Sequence, residues 1–256
     1  MSRLTGTKLN QLVLNWPRGT VSTVEWMRNR GFSRQLIDRY KKSKWIASVG
    51  RGAYKLVNDT IEWPGAIYAI QEQLHLKIHP GGKTALQLKG LAHFVPVEIK
   101  EIFLFGTREQ KLPAWFKSYH WGAKVHYFPT NLFGCDLGLA GHDFSSFSIQ
   151  VSSPERAIME LLYLVPGRET LNESSLIMEH SVNLRPKVVQ ELLESCNSIK
   201  VKRLFMYLAE KYDHRWIKRI ELSRINLGRS KIMIAKGGIY DSKYKMVVPN
   251  IPAREV

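Results

Sequence analysis

At 256 residues and 44% hydrophobic content, the chain has enough apolar side chain for one large domain or two modest ones. Its formal net charge of +16 favours an anionic partner, with nucleic acid ahead of an anionic membrane and of simple solubility. No apolar run approaches the ~18 residues of a membrane span, and Cys135 and Cys196 form no C-x-x-C pair, which argues against a disulfide framework and a zinc site.

The charge is unevenly placed. Residues 1–95 hold 15 Lys/Arg against 5 Asp/Glu, residues 96–199 hold 9 against 12, and residues 200–256 hold 14 against 5. Two basic blocks therefore flank a mildly acidic stretch, whereas purely solubilising charge would be spread evenly. The N-terminus MSRLTGTKLNQ lacks the apolar region of a secretory signal, so a cytoplasmic protein is expected.

In chain order, Leu9, Leu12, Val13 and Trp16 recur at helical spacing and predict an amphipathic first helix ending before Pro17. Ser22 and Glu25 have the spacing of a capping box, which predicts a second helix from Thr23, with Gly31 beyond its last turn. Ser33 can cap a third helix, in which Leu36, Ile37 and Tyr40 form one inward stripe. Arg34, Gln35, Asp38, Arg39, Lys41 and Lys42 are left facing out. Two strands near residues 45–46 and 53–56 follow, turning at Gly50-Arg51-Gly52. This is the outline of a winged helix-turn-helix.

Further along, helical spacing resumes over residues 64–76, with Pro64 suited to a helix start. A short helix is expected over 83–88, and a domain boundary near Val95-Pro96. Strand-like runs occur at 98–105, 124–128 and 147–151, and helices are expected from Pro154 and over 172–180, 185–196 and 200–212. Extended runs at 231–235 and 244–248, joined across Gly237-Gly238, end the chain. The fold class expected is α+β: an N-terminal winged helix-turn-helix over 1–95, then a mixed α/β C-terminal domain over 96–256.

The third helix carries the clearest functional signal. A helix that buries one face and offers Arg and Gln on the other suits a major groove, where Arg pairs with guanine and Gln with adenine. Arg34 and Gln35, near the helix start, are the candidates for base edges. Ser33, Arg39, Lys41, Lys42 and Lys44, with Arg18 before the second helix and Arg51 and Lys55 in the wing, complete the candidate DNA-binding set. The basic block after residue 200 offers a possible second anionic-partner surface through Lys200, Lys202, Arg203, Lys211, Arg215, Lys218 and Arg219. The plain alternative for that block is an ordinary solvated face. Interleaved aromatic and basic residues from Trp115 to Lys124 read as core packing ahead of a stacking platform.

Other motifs lead nowhere. Gly81-Gly82-Lys83-Thr84 lacks the first glycine of a phosphate loop, since position 77 is Lys77. Glu155 falls at a helix start, where capping or an ion pair with Arg156 is the default reading. The eight histidines show no metal-ligand spacing, His142-Asp143 is an isolated dipeptide, and no nucleophile elbow appears. No enzyme, metal or cofactor is expected.

The order of several segments resembles the AbiEi family, the antitoxin and transcriptional regulator of type IV toxin–antitoxin (abortive infection) systems. The resemblance rests on the wing Gly50-Arg51-Gly52-Ala53-Tyr54 and on HPGGKTALQLKGLAHF over residues 79–94. It rests also on Lys111-Leu112-Pro113-Ala114-Trp115, SSPERAIMELL over 152–162, SIKVKRLFMYLAEKYDHRW over 198–216, and the ending GGIYDSKYKMVVP. After Leu227 the chain departs from the family pattern, with Gly228-Arg229-Ser230-Lys231 in place of a Gly-Lys-Arg grouping. The resemblance implies an autorepressor that binds inverted repeats in its own promoter. It also implies an antitoxin that counteracts a nucleotidyltransferase toxin without a stable complex. The residues alone leave two other readings open: a ligand-sensing winged-helix repressor, and an RNA-binding protein using the C-terminal basic block.

Overall fold

Leu12 and Trp16 anchor the first helix, α1 (Lys8–Leu14), to the two that follow it. Strand β1 (Ser22–Thr23) leads directly into α2 (Val24–Asn29), and α3 (Arg34–Lys42) follows a short turn. Strands β2 (Ile46–Gly50) and β3 (Ala53–Leu56) form the wing hairpin, and the sheet order is β1-β3-β2. The computed structural model describes residues 8–91, 99–134 and 136–250. Leu12, Trp16, Trp26, Met27, Phe32, Ile37, Tyr40, Ile46 and Leu56 make one buried cluster joining the three helices to the wing. Burying each large apolar side chain contributes roughly 1.5–3 kcal/mol, so this cluster fixes how α3 sits on its neighbours.

The cap of α2 differs from the one expected. Ser22 pairs with Tyr54 across β1 and β3, and Thr23 instead caps the helix, accepting from the Trp26 amide at 3.2 Å. The sheet claims Ser22 before the helix can, which shifts the cap by one residue. Beyond the wing, α4 (Trp63–Tyr68) begins with Pro64 as expected but passes into a single π-helical turn, Ala69–Gln73. The side chain of Gln73 then acts as a strand neighbour for β1. Its Oε1 accepts from the Thr23 amide at 2.8 Å and its Nε2 donates to the Val21 carbonyl at 3.0 Å. Gly65 is required here, because a Cβ at that position would lie 1.9 Å from the Gly19 carbonyl oxygen.

The chain continues through β4 (His79–Pro80), α5 (Gly82–Leu88), β5 (Glu101–Gly106), α6 (Ala114–Ser118), β6 (Lys124–Pro129), β7 (Leu139–Asp143) and β8 (Ser148–Ser152). It divides into two units that are not consecutive in sequence. The first comprises Met1–His79, Gly106–Pro129 and Gly141–Gln150; the second comprises Pro80–Phe105, Thr130–Ala140 and Val151–Val256. The boundary expected near Val95-Pro96 lies outside the described residues. Within the first unit, α6 packs on β2 so tightly that a Cβ on Gly50 would lie 2.7 Å from that of Trp115. Gln71 likewise bonds both backbone groups of Gln150, donating at 3.0 Å and accepting at 2.8 Å.

The second unit is built around α7 (Pro154–Leu164), which contacts α5, α8 (Leu171–Glu179), α9 (Pro186–Ser195) and α10 (Ile199–Lys211). Every residue of α7 from Glu155 to Leu162 is buried, including two carboxylates. Glu155 accepts from Nε and Nη2 of Arg185, each at 2.9 Å, the partner being Arg185 and not the adjacent Arg156. Arg156 pairs instead with Glu160 at 2.9 Å. The chain closes on β9 (Ile232–Met233), β10 (Ile239–Asp241) and β11 (Met246–Val248), with β11 antiparallel to β10 and parallel to β9. β10 was not among the extended runs expected from sequence. The fold class is α+β, as the sequence indicates.

Candidate nucleic-acid interface

Helix α3 presents its functional face because its apolar residues occupy a single stripe. Ser33 caps it by accepting from the Leu36 amide at 3.3 Å. Ile37 and Tyr40 are buried at 2% and 8% exposure, while Arg34, Gln35, Asp38, Arg39, Lys41 and Lys42 are exposed. Burial raises the Tyr40 hydroxyl above its usual range, against the pull of Arg39, so the ring stays neutral beneath the cations. Lys44 follows with a left-handed backbone (φ 57°) and Arg51 stands exposed in the turn between the wing strands. Among the described residues no ion pair ties Arg34, Arg39, Lys41, Lys42, Lys44 or Arg51, which leaves their charges available to an external anion.

Two members of the sequence-derived set are placed differently. Lys55 is half-buried and donates to the Asp59 carbonyl at 2.9 Å. Arg18 donates to the Asp59 carboxylate at 3.0 Å, whose second oxygen accepts from the Gly19 amide at 3.1 Å. Both cations thus brace the loop after β3, and their residue types alone gave no sign of these acceptors. The sequence reading also passed over Trp45, which adjoins Lys44 and is 51% exposed. Its signal was the alternation with the buried Ile46.

The second basic surface does not assemble as expected. Lys202 and Arg203 are only 4% and 1% exposed. The Arg203 guanidinium donates to the carbonyls of Leu227 at 2.6 Å, Ser230 at 2.7 Å and Lys245 at 3.4 Å. Lys200 is half-buried, and its ammonium bonds the Tyr163 and Val165 carbonyls; burial lowers its pKa. Lys211 is partly buried as well, with its pKa lowered for the same reason. The apolar stripe of α10 marks one contact face, but the helix is covered on more than one side, and its long basic stems reach backbone carbonyls. Arg215, Lys218 and Arg219 remain exposed on the 3₁₀ turn after α10.

The Gly81–Thr84 turn contains its own anion. The Glu160 carboxylate accepts from the Gly82 amide at 3.2 Å and from the Ser152 hydroxyl at 2.7 Å, filling the space a phosphate would need. Lys83 meets Glu169 at 2.6 Å. Trp115 and Phe116 are buried, and the Trp121 indole donates to the Phe116 carbonyl at 2.8 Å, so this aromatic run packs into the fold. Among the described residues no group of three or more His, Cys, Asp or Glu could hold a metal, and no helix is long and apolar enough to cross a membrane.

Comparison with known proteins gives two family matches along the chain. Residues 99–249 match a family model described as the transcriptional regulator AbiEi antitoxin of type IV toxin–antitoxin systems, and residues 5–97 match the model of its N-terminal domain. No curated protein matches. A crystal structure of the RV2827C protein from Mycobacterium tuberculosis is similar, with a TM-score of 0.60 at 14% identity over 94% of this chain and 89% of that one. That likeness speaks to fold alone.

Proposed function

The chain belongs to the AbiEi family of antitoxin transcriptional regulators of type IV toxin–antitoxin systems, and we propose on that premise that it represses its own operon through α3 and the wing. The division of labour we propose follows the chain: residues 1–95 bind inverted repeats in the promoter, and residues 96–256 counteract a nucleotidyltransferase toxin without forming a stable complex with it. The observation that carries the DNA-binding half is the outer face of α3, where Arg34, Gln35, Arg39, Lys41 and Lys42 are exposed over a buried apolar stripe. Arg34 and Gln35 lie at the N-terminal end of that helix, the end that meets base edges in helix-turn-helix docking. Lys41, Lys42, Lys44 and Arg51 are suited to phosphates, which position the protein without reading sequence.

Gel shifts on the chain's own upstream region test the reading. Specific binding that survives competitor DNA supports repression; equal affinity for any duplex defeats it. Arg34→Ala should cost about 1–3 kcal/mol of discrimination, while leaving non-specific affinity largely intact. For the antitoxin half, a full-length Arg34→Ala/Gln35→Ala variant should lose repression yet still rescue cells expressing the neighbouring toxin. Loss of both together would refute the division of labour.

A second reading has one observation in its favour. A cleft of about 400 Å³ in the first unit is lined by Arg18, Asp59, Glu62, Phe144 and Phe147, among others. A small effector there would make the protein a ligand-sensing repressor, and effector-dependent release of the operator would identify it.

A further inference from the structure

The C-terminal sheet exposes side chains that repression by α3 does not use. Its strands run β10-β11-β9, and the registers Tyr240↔Val247 and Val247↔Met233 place these three residues in one row. Side chains in lateral register share a face, as do residues two apart along an extended strand. Lys231, two before Met233, therefore falls on the same face, and Lys245, exposed in the turn before β11 with a left-handed backbone (φ 52°), borders it, its carbonyl accepting from the Ile232 amide at 3.0 Å. The Lys231 ammonium bears this out, lying 4.9 Å from the centroid of the Tyr240 ring on the far side of the sheet's middle strand. Met233 and Tyr240, at the two ends of the row, are 63% and 50% exposed with Val247 between them at 8%, while Met246 and Val248, which point the other way, are 0% and 2% exposed.

We propose that this face binds an unpaired nucleic-acid strand, with Tyr240 stacking against a base and Lys231 and Lys245 meeting the flanking phosphates. The argument is one of chemical complementarity. An acidic peptide would satisfy the two ammonium groups but leave the aromatic ring and Met233 unmatched. A single strand alternates planar rings with anions, and this face sets a ring beside cations. Duplex DNA hides its base faces and would use only the lysines. The one carboxylate on these strands, Asp241, falls on the opposite face by alternation and accepts from the Tyr244 amide at 2.6 Å. Three strands span roughly 10 Å, room for one or two nucleotides. The platform is also rigidly backed, because the buried Arg203 guanidinium bonds the carbonyls of Ser230 and Lys245, next to both lysines.

The test is fluorescence anisotropy of the full-length protein with short labelled single strands of mixed sequence, in RNA and DNA versions, beside a duplex of the same sequence. Tyr240→Ala should weaken single-strand binding about tenfold, while Tyr240→Phe, which keeps the ring, binds like the parent. Lys231→Ala and Lys245→Ala should each weaken binding and reduce its salt dependence. Duplex affinity should be unchanged in Tyr240→Ala and reduced in Lys42→Ala, so failure of this proposal and failure of the α3 reading are separable. Binding by either the RNA or the DNA strand through Tyr240 sustains the proposal and says which strand chemistry is preferred. It is overturned if no single strand binds, if Tyr240→Ala binds like the parent, if Arg34→Ala abolishes single-strand binding, or if polyglutamate competes as well as an unlabelled strand.

Discussion

Arg203 and Lys42 each put a positive charge on a long flexible stem of a helix, yet the fold uses them in opposite ways. The Lys42 ammonium ends in solvent; the Arg203 guanidinium ends on three backbone carbonyls. A hydrogen bond to a charged donor contributes about 1.5–3 kcal/mol, and removing the donor leaves buried acceptors unpaired. Arg203→Ala should therefore destabilise the protein by about 3 kcal/mol or more, read as a lower urea midpoint. Lys42→Ala should stay within about 0.5 kcal/mol of the parent. Equal effects of the two would contradict the placement of Arg203. Sequence could not separate this pair, because both fall off the apolar stripe of their helix. What distinguishes them is whether a second element covers the polar side, and that depends on residues 24 to 42 positions further along the chain.

At the scale of elements, α3 was legible and α7 only in part, for the same physical reason. An element buried on one face leaves a periodic record of it, so Ser33, Ile37 and Tyr40 gave the helix, its cap and its exposed side together. Helix α7 is enclosed on all sides, and its periodicity marks its existence without naming what each polar residue meets. Glu155 looked like a simple helix-start carboxylate. Burial by itself would raise its pKa, but side-chain and backbone hydrogen bonds from Arg185 outweigh this and hold it at about 2. A carboxylate depressed from its usual value of 4.5 to about 2 contributes stability that is present above its unfolded-state pKa and lost as the pH falls through the folded one. Acid unfolding monitored between about pH 4.5 and pH 2 should show this loss in the parent. Arg185→Ala should already be less stable at neutral pH and should show a shallower loss across that window. The Gln73 bridge was invisible to sequence, since a glutamine in a helical run carries no sign that its amide will replace a strand. Gln73→Leu leaves the buried Thr23 amide and Val21 carbonyl without these partners. It should cost about 2 kcal/mol, measured by chemical denaturation.

Across the whole molecule, folding redistributes the charge that the linear sequence displays as two basic blocks and an acidic middle. The first unit holds 17 Lys/Arg against 7 Asp/Glu and the second 21 against 15. In the acidic middle, Glu155, Glu160 and Glu169 are each no more than 2% exposed, so part of its negative charge never reaches the surface. Lys202 and Arg203 are withdrawn in the same way. The cations left to meet DNA through α3 and the wing are Arg34, Arg39, Lys41, Lys42, Lys44 and Arg51. Each phosphate neutralised contributes about 0.9 to the slope of log affinity against log salt, which puts the limit for this face near −5. Raising salt from about 50 to 200 mM should then weaken operator binding by up to about a thousandfold. Lys42→Ala should flatten the slope by about 0.9 on specific and non-specific duplexes alike. Lys202→Met, which removes a charge the fold has already enclosed, should leave the slope unchanged. A flattening by Lys202→Met equal to that by Lys42→Ala would mean that DNA meets the second basic block, and that α3 and the wing are not the whole of the electrostatic footprint.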